Sequence, residues 1–305
     1  MRPLIPLAIL LTACASSSHM AAQRATSRPT SGSSSDEPFV WKGTLRNGAT
    51  LSIRNFNGAI DVKGASGDGA EVRAEKRSDR NGDLSFEVRK DGDDVTICSV
   101  WRGDSACDEN RHHDRSFNDD DGHVSARITV TLPRGVRLDA NTGNGNISVA
   151  DAGGDVDVNT GNGSLHVEGT AQSVHANTGN GAVTVTDAHG RVKANTGNGR
   201  VNVTTSSGPV SVNTGHGDIN VRLGLLPKDS DMEFRTGNGS VVVTVPPGID
   251  ADFDASTGNG SVTTDFDVHV RGSLNSHHIR GTIGRGGSSI RMTTGNGSVE
   301  LRKSS

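Results

Sequence analysis

The stretch Thr160-Gly-Asn-Gly-Ser-Leu-His-Val-Glu-Gly-Thr-Ala-Gln-Ser-Val-His-Ala-Asn177 decides how the whole chain is read. Its opening phrase, Thr-Gly-Asn-Gly, returns at Thr142–Gly145, Thr178–Gly181, Thr196–Gly199, Thr236–Gly239, Thr257–Gly260 and Thr294–Gly297. Thr214–Gly217 is a near copy, with His216 in place of Asn. In chain order the first five copies stand 18 residues apart, and the later steps are 22, 21 and 37. A fixed period of this kind marks a repeat architecture, in which each unit buries its apolar face only by stacking on its neighbours.

Within a unit, apolar residues fall at offsets 5 and 7 from the Thr and again at 14 and 16, as in Leu165/Val167 and Val174/Ala176. That is the period-2 signature of two short strands, each with one face inward. A helix is excluded, because there is no 3.6-residue period and the units are dense in Gly and β-branched residues. Gly143, Asn144 and Gly145 mark a corner, with Gly161, Asn162, Gly163, Gly179, Asn180, Gly181, Gly197, Asn198 and Gly199 in the same role. Gly and Asn are the residues that tolerate tight or left-handed backbone. The expected fold is all-β, a parallel β-solenoid with about 18 residues per rung, in which coils stack at about 4.8 Å and like residues meet. The column Asn141, Asn159, Asn177, Asn195 and Asn213 is placed to form a ladder of side-chain amides. A flat outward Thr/Asn face would suit ordered water, provided that the threonines point outward.

Composition supports a thin core. Of 305 residues, 31% are hydrophobic and 3% aromatic, and 40 are Gly. The net charge of −4 gives no sign of a nucleic-acid partner. The N-terminus reads as a targeting segment, residues 1–13. Arg2 precedes the apolar Leu4–Leu11, which is too short to span a bilayer. Leu11-Thr-Ala-Cys14 then resembles a bacterial lipobox, so Cys14 is the expected lipidation site and the membrane an expected partner through that anchor. Ala15 after the Cys resembles the outer-membrane destination of such lipoproteins. Residues 14–38 read as lipidated Cys and Ser/Thr-rich tether, and 39–303 as the solenoid.

Asn55-Phe-Asn-Gly-Ala-Ile-Asp-Val62 looks like a degenerate first copy, so the array is expected to start well before residue 141. Residues 103–123 break the pattern as an acidic insertion that includes Asp104, Asp108, Asp119, Asp120 and Asp121. The 37-residue step before Thr294 predicts a degenerate rung within Thr263–Ile283. The charged end of Ser298-Val-Glu-Leu-Arg-Lys303 predicts a last, exposed edge. About a dozen rungs would make a rod of roughly 55 Å.

Four features together resemble a known family. They are the Asn55–Val62 segment, Val130-Thr-Leu-Pro-Arg-Gly-Val136, the Gly-Asn-Gly rungs and the closing Ile290-Arg-Met-Thr-Thr-Gly-Asn-Gly-Ser-Val-Glu-Leu301. The chain is similar to the adhesin-like domain family of bacterial envelope proteins, of the head-GIN type, a family without assigned biochemical function. The resemblance covers roughly residues 40–303 and implies a right-handed parallel β-solenoid at the cell surface or in the periplasm. The acidic insertion departs from the family pattern.

Candidate chemistry is sparse. Calcium-binding β-rolls need a carboxylate at a fixed place in each turn, and here that place holds Asn144, Asn162, Asn180 and Asn198. His112, His113, Asp114 and His123 supply metal-ligand residue types at no defined spacing. Cys98 and Cys107 are the thiols left beside Cys14, and an oxidising compartment favours a disulfide between them. Arg102-Gly-Asp104 lies inside that pair. Residues 141–231 hold no aromatic platform for sugar cleavage, and the histidines His166, His175, His189 and His216 fall at different offsets. No catalytic residue, cofactor or metal ligand is assigned. The expected function is that of a non-enzymatic envelope lipoprotein for adhesion or surface binding, with an envelope protein or a surface glycan as partner. Two alternatives are a structural or envelope-stress signalling accessory and a polysaccharide-active enzyme.

Overall fold

The computed structural model describes residues 37–78, 84–107, 124–169, 172–270 and 275–305. Cys14, the tether up to residue 36 and residues 108–123 lie outside the described residues. Among the described residues every regular element is a β-strand, and the strands form a 12-stranded and a 14-stranded sheet. Each 18-residue unit gives one strand to each sheet. Val156–Asn162 enters the 14-stranded sheet and Leu165–Glu168 the 12-stranded one. The next unit continues both in parallel, pairing Val156 with Val174, Asn159 with Asn177, Thr160 with Thr178 and Leu165 with Val183. The chain is a parallel β-solenoid in which residues 18 apart stack directly.

The core lies between the sheets and is one continuous apolar file, aliphatic through the regular rungs and joined by Phe234, Phe253 and Met292 toward the far end. Val156, Val158, Leu165 and Val167 are buried, as are their counterparts Val174, Ala176, Val183 and Val185. The alternation does not stop at the aliphatic residues. The repeat threonine stands two residues beyond the second of them, so the same phase carries it inward. Thr142, Thr160, Thr178, Thr196, Thr214, Thr236, Thr257 and Thr294 are all buried. The repeat threonines therefore form no outward face.

The early start of the array is present in the fold. Thr50–Asn57 and Ile60–Ala65 pair in parallel with the first regular rung, setting Asn57 beside Asn144 and Ile60 beside Ile147. Asp94–Trp101 and Ser125–Pro133 add one more parallel level outside it. Antiparallel strands then close this end. Leu84–Asp91 pairs with Asp94–Trp101, and Gly69–Ser78 pairs with both Ser125–Pro133 and Phe39–Thr44.

The far end differs from the sequence expectation on two points. The described residues of the segment 263–283 form no degenerate rung. Val262–Thr264 completes the level begun by Ala251–Asn259, and His278–Ile283 then turns back antiparallel against Ala251–Asn259. Val268–Val270 adds a further antiparallel strand. Nor is the chain end an edge. Val299–Lys303 lies between Val241–Val245 and Val262–Thr264, paired in parallel with both. The last segment fills a level that the chain had skipped. Among the described residues ten levels are stacked in parallel, about 43 Å from first to last, rather than the expected dozen.

The corner glycines are required by close stacking. A Cβ on Gly179 would lie 2.6 Å from the Gly161 carbonyl oxygen, and one on Gly181 would lie 2.1 Å from that of Gly163. Gly181 also has φ of 151°, which disfavours any side chain. Gly181→Ala is therefore expected to lower unfolding stability by about 2–4 kcal/mol. Gly69, where an added Cβ meets nothing within 4 Å, serves as the control. Its alanine variant should stay within about 0.5 kcal/mol of the parent. Denaturant midpoints followed by circular dichroism decide this, and equal midpoints for the two variants would refute the close-stacking account.

Candidate functional site

The corner is wired by three kinds of bond that repeat from rung to rung. The buried Thr178 Oγ1 donates to the Gly163 carbonyl at 2.9 Å, and Thr160 and Thr196 do the same to Gly145 and Gly181. The Gly163 N–H donates to the Asn180 carbonyl of the following rung at 2.9 Å. Outside these, the turn asparagines join amide to amide. Asn144 donates to Asn57, Asn162 to Asn144, Asn180 to Asn162 and Asn198 to Asn180, at 2.6–2.8 Å. The column resumes beyond His216, with Asn296 donating to Asn238 and Asn259 to Asn296, each at 2.7 Å. Where calcium would need carboxylates, these turns hold an amide ladder.

The second asparagine column lies on the outward face of the 14-stranded sheet and is only partly a ladder. Asn177 donates to Asn159 at 2.8 Å and Asn195 to Asn177 at 2.7 Å. Asn141 instead donates to Asp139, and Asn159 to Asp157. Beside them runs a column whose chemistry changes at every level after the first two: Asp139, Asp157, His175, Lys193 and Ser211. Arg54 clamps Asp139 through both guanidinium nitrogens, and His175 faces Asp157 at 3.4 Å. This face is a partly exposed field of amide donors and acceptors with charges at its margin.

The two resolved carboxylate shifts lie at other corners. The Asp155 carboxyl is held below its ordinary range chiefly by the Ser173 hydroxyl, with the Ser173 N–H and Arg137 adding to it, against desolvation. Asp250 is held low by hydrogen bonds from the Arg285 guanidinium and backbone N–H.

At the base of the acidic insertion, Cys98 and Cys107 face one another with Cα atoms 5.7 Å apart and their sulfurs paired. Arg102 and Gly103 form the turn between, with φ of 48° and 84°. The Arg102 guanidinium lies 5.0 Å from the centre of the Trp101 ring. His112, His113, Asp114 and His123 fall outside the described residues. Of the remaining histidines, His166 and His175 sit on different sheets and His216 in the turn column, so the fold brings them to no common site.

The family model Toastrack DUF4097 matches residues 122–302, more than half of the chain. The chain belongs to the Toastrack family. The match spans all the regular rungs and the skipped-level closure at the far end, and begins at the last residues of the acidic insertion. This Toastrack chain is also similar to several solved structures at 10% identity. One is a candidate cell-adhesion protein from Clostridium sporogenes, with 88% of this chain and 100% of that one covered and a TM-score of 0.23. Another is a candidate adhesin from Bacteroides fragilis, with 87% and 97% covered and a TM-score of 0.35. A candidate adhesin from Parabacteroides merdae covers 87% and 96% at a TM-score of 0.30. Among curated proteins none matches.

Two variants probe this wiring. Asn180→Asp keeps the acceptor for Asn198 but sets a carboxylate against the Asn162 oxygen. A loss of about 1 kcal/mol is expected at neutral pH. The folded state favours the protonated, donating form, so the deficit should shrink as pH falls through the carboxyl range. A deficit that does not change with pH would sink this reading. For Asp155 the sign is opposite. Its folded pKa is depressed, so its stabilisation is present above the unfolded value and lost as pH falls through the folded one. The Asp155→Asn variant should therefore show a shallower acid loss of stability than the parent. Parallel curves would contradict it.

Proposed function

We propose that this Toastrack chain is a lipid-anchored, non-enzymatic protein of the bacterial envelope that serves adhesion or surface binding. In this reading Cys14 carries the anchor, the residues up to 38 are the tether, and the solenoid is the display surface. The observation that carries it is the outward field of the 14-stranded sheet, where Asn141, Asn159, Asn177 and Asn195 stand at successive levels, half-exposed. Each amide is both donor and acceptor, and the spacing is one rung. A surface that repeats one uncharged hydrogen-bonding group at one step suits multivalent contact with a polymer that repeats its own hydroxyls. A surface glycan fits that description, and an envelope protein is the second partner class. Many weak contacts held in one rigid row gain from effective concentration.

Cys14→Ser should move the protein from the membrane to the soluble fraction. Deleting residues 40–303 while keeping the anchor should abolish cell attachment. Unchanged attachment after that deletion would remove the adhesion reading. A glycan and protein array probed with the 38–305 fragment identifies the partner class, and loss of the signal in an Asn159→Ala/Asn177→Ala double variant would assign the face.

A further inference from the structure

Beside Cys98 and Cys107 stands a third group that the disulfide alone does not require. Glu87 lies directly opposite Cys98 in the antiparallel pair, so the two side chains share a face. A carboxylate oxygen of Glu87 and both sulfurs all lie within 4.8 Å of one another. Ser105 and Arg89 both hold Glu87 through Oε1, at 2.5 and 2.6 Å, which fixes the carboxylate in place beside the sulfurs. The Cys107 N–H donates to the same Ser105 hydroxyl at 3.2 Å, tying the second cysteine to the carboxylate. Cys98 is buried, while Glu87 and Cys107 are half-exposed, so the cluster is open on one side.

We propose that this cluster is a thiol-gated metal site: when the Cys98–Cys107 pair is reduced, both thiolates and Glu87 bind one divalent zinc-class cation. Two thiolates, one carboxylate and a water make a four-coordinate set of the kind Zn2+ takes. Tetrahedral zinc with Zn–S of ~2.3 Å holds its two sulfurs about 3.8 Å apart. A disulfide holds them at ~2.0 Å, so the sulfurs need part by less than 2 Å. The pairing of Asp94–Trp101 with Leu84–Asp91 keeps Glu87 and Cys98 aligned in either state.

The chemistry balances with a dithiol as reductant. The dithiol gives two electrons and two protons to the disulfide and becomes a disulfide itself, leaving Cys98 and Cys107 as thiols. The cation then displaces the two thiol protons into solvent and gains two Zn–S bonds. Reoxidation removes both sulfur ligands at once, and Glu87 alone does not retain the ion. The site would thus hold metal only in a reducing setting. It stands apart from the adhesion reading and survives or fails without it.

The test uses the full chain, reduced with excess dithiol and desalted under nitrogen, against the untreated oxidised protein. Cobalt titration followed by absorbance and zinc titration by calorimetry are the readouts, with circular dichroism on both forms. Reduced protein should take one equivalent with tetrahedral cobalt–thiolate absorption, and the oxidised protein none. Cys107→Ser should lose that absorption, and Glu87→Gln should weaken zinc at least tenfold. Folded, reduced protein without cobalt–thiolate absorption would overturn the site. So would identical zinc isotherms for the two redox forms, which would place any binding outside the cysteine pair. A Glu87→Gln variant as tight as the parent would remove Glu87 as a ligand. Reduction that unfolds the chain would show that the assembled site does not exist in the reduced state.

Discussion

A threonine hydroxyl inside the core reaches back to a glycine carbonyl one rung earlier, and the fold is organised around that bond. The hydroxyl is buried and would cost about 1–3 kcal/mol if left unpaired. Its acceptor is the carbonyl of the second corner glycine, as in Thr178 to Gly163. For the bond to form, successive corners must come close enough that no Cβ fits between them. The glycines follow from the threonine as much as from the turn. The first rung makes the same point with different atoms. There Asn55 takes the place of Thr142, is buried, and donates to the Ala126 carbonyl at 3.0 Å. The residue changes, while the inward donor and its backbone acceptor in the adjoining level stay.

This constraint separates the molecule into a part that must repeat and a part free to vary. Inward positions and corners are pinned by packing and by the hydroxyl bonds. The outward column Asp157, His175, Lys193, Ser211 is pinned by neither and changes at every level. The neighbouring asparagines are intermediate: they repeat, yet only Asn159, Asn177 and Asn195 form a run of direct amide bonds. An outward group that repeats without being wholly committed to its neighbours retains hydrogen-bonding capacity. That is the physical basis for placing the binding surface there and not at the turn ladder, where each amide donates to the one before it.

Much of the fold was legible because the period and the alternation point the same way. The parallel stacking, the corner role of Gly-Asn-Gly and the early first rung at residue 55 all follow from residue spacing. The inward threonine was legible too. Val156, Val158 and Thr160 share one phase, and only the habit of ending a core at its last aliphatic residue hides it. What spacing does not carry is the order of levels. Val268–Val270 and His278–Ile283 alternate much as a rung would, and nothing local distinguishes antiparallel closure from another parallel coil. The site was less legible still. Glu87 lies eleven residues before Cys98 in the sequence, and only the hairpin register brings it opposite.

The skipped level explains why a charged C-terminus ends inside the array and not on its edge. A solenoid that stopped at its last coil would present open backbone to other chains. Here the chain first passes over one level and lays down Ala251–Asn259. It closes that edge with His278–Ile283 and only then returns to fill the gap with Ser288–Asn296 and Val299–Lys303. The filling strand pairs on both sides, Met292 with Phe234 on one and with Ala255 on the other. Of the charges on Val299–Lys303, Glu300 lies opposite Thr263, and Lys303 caps the Phe266 ring at 5.0 Å. The same logic holds at the other end, where antiparallel strands cover the level of Asp94–Trp101 and Ser125–Pro133. Parallel ladders supply the rod, and antiparallel strands cover both sheets at the first end and the 14-stranded sheet at the other, where fewer open edges are left to recruit copies of the chain.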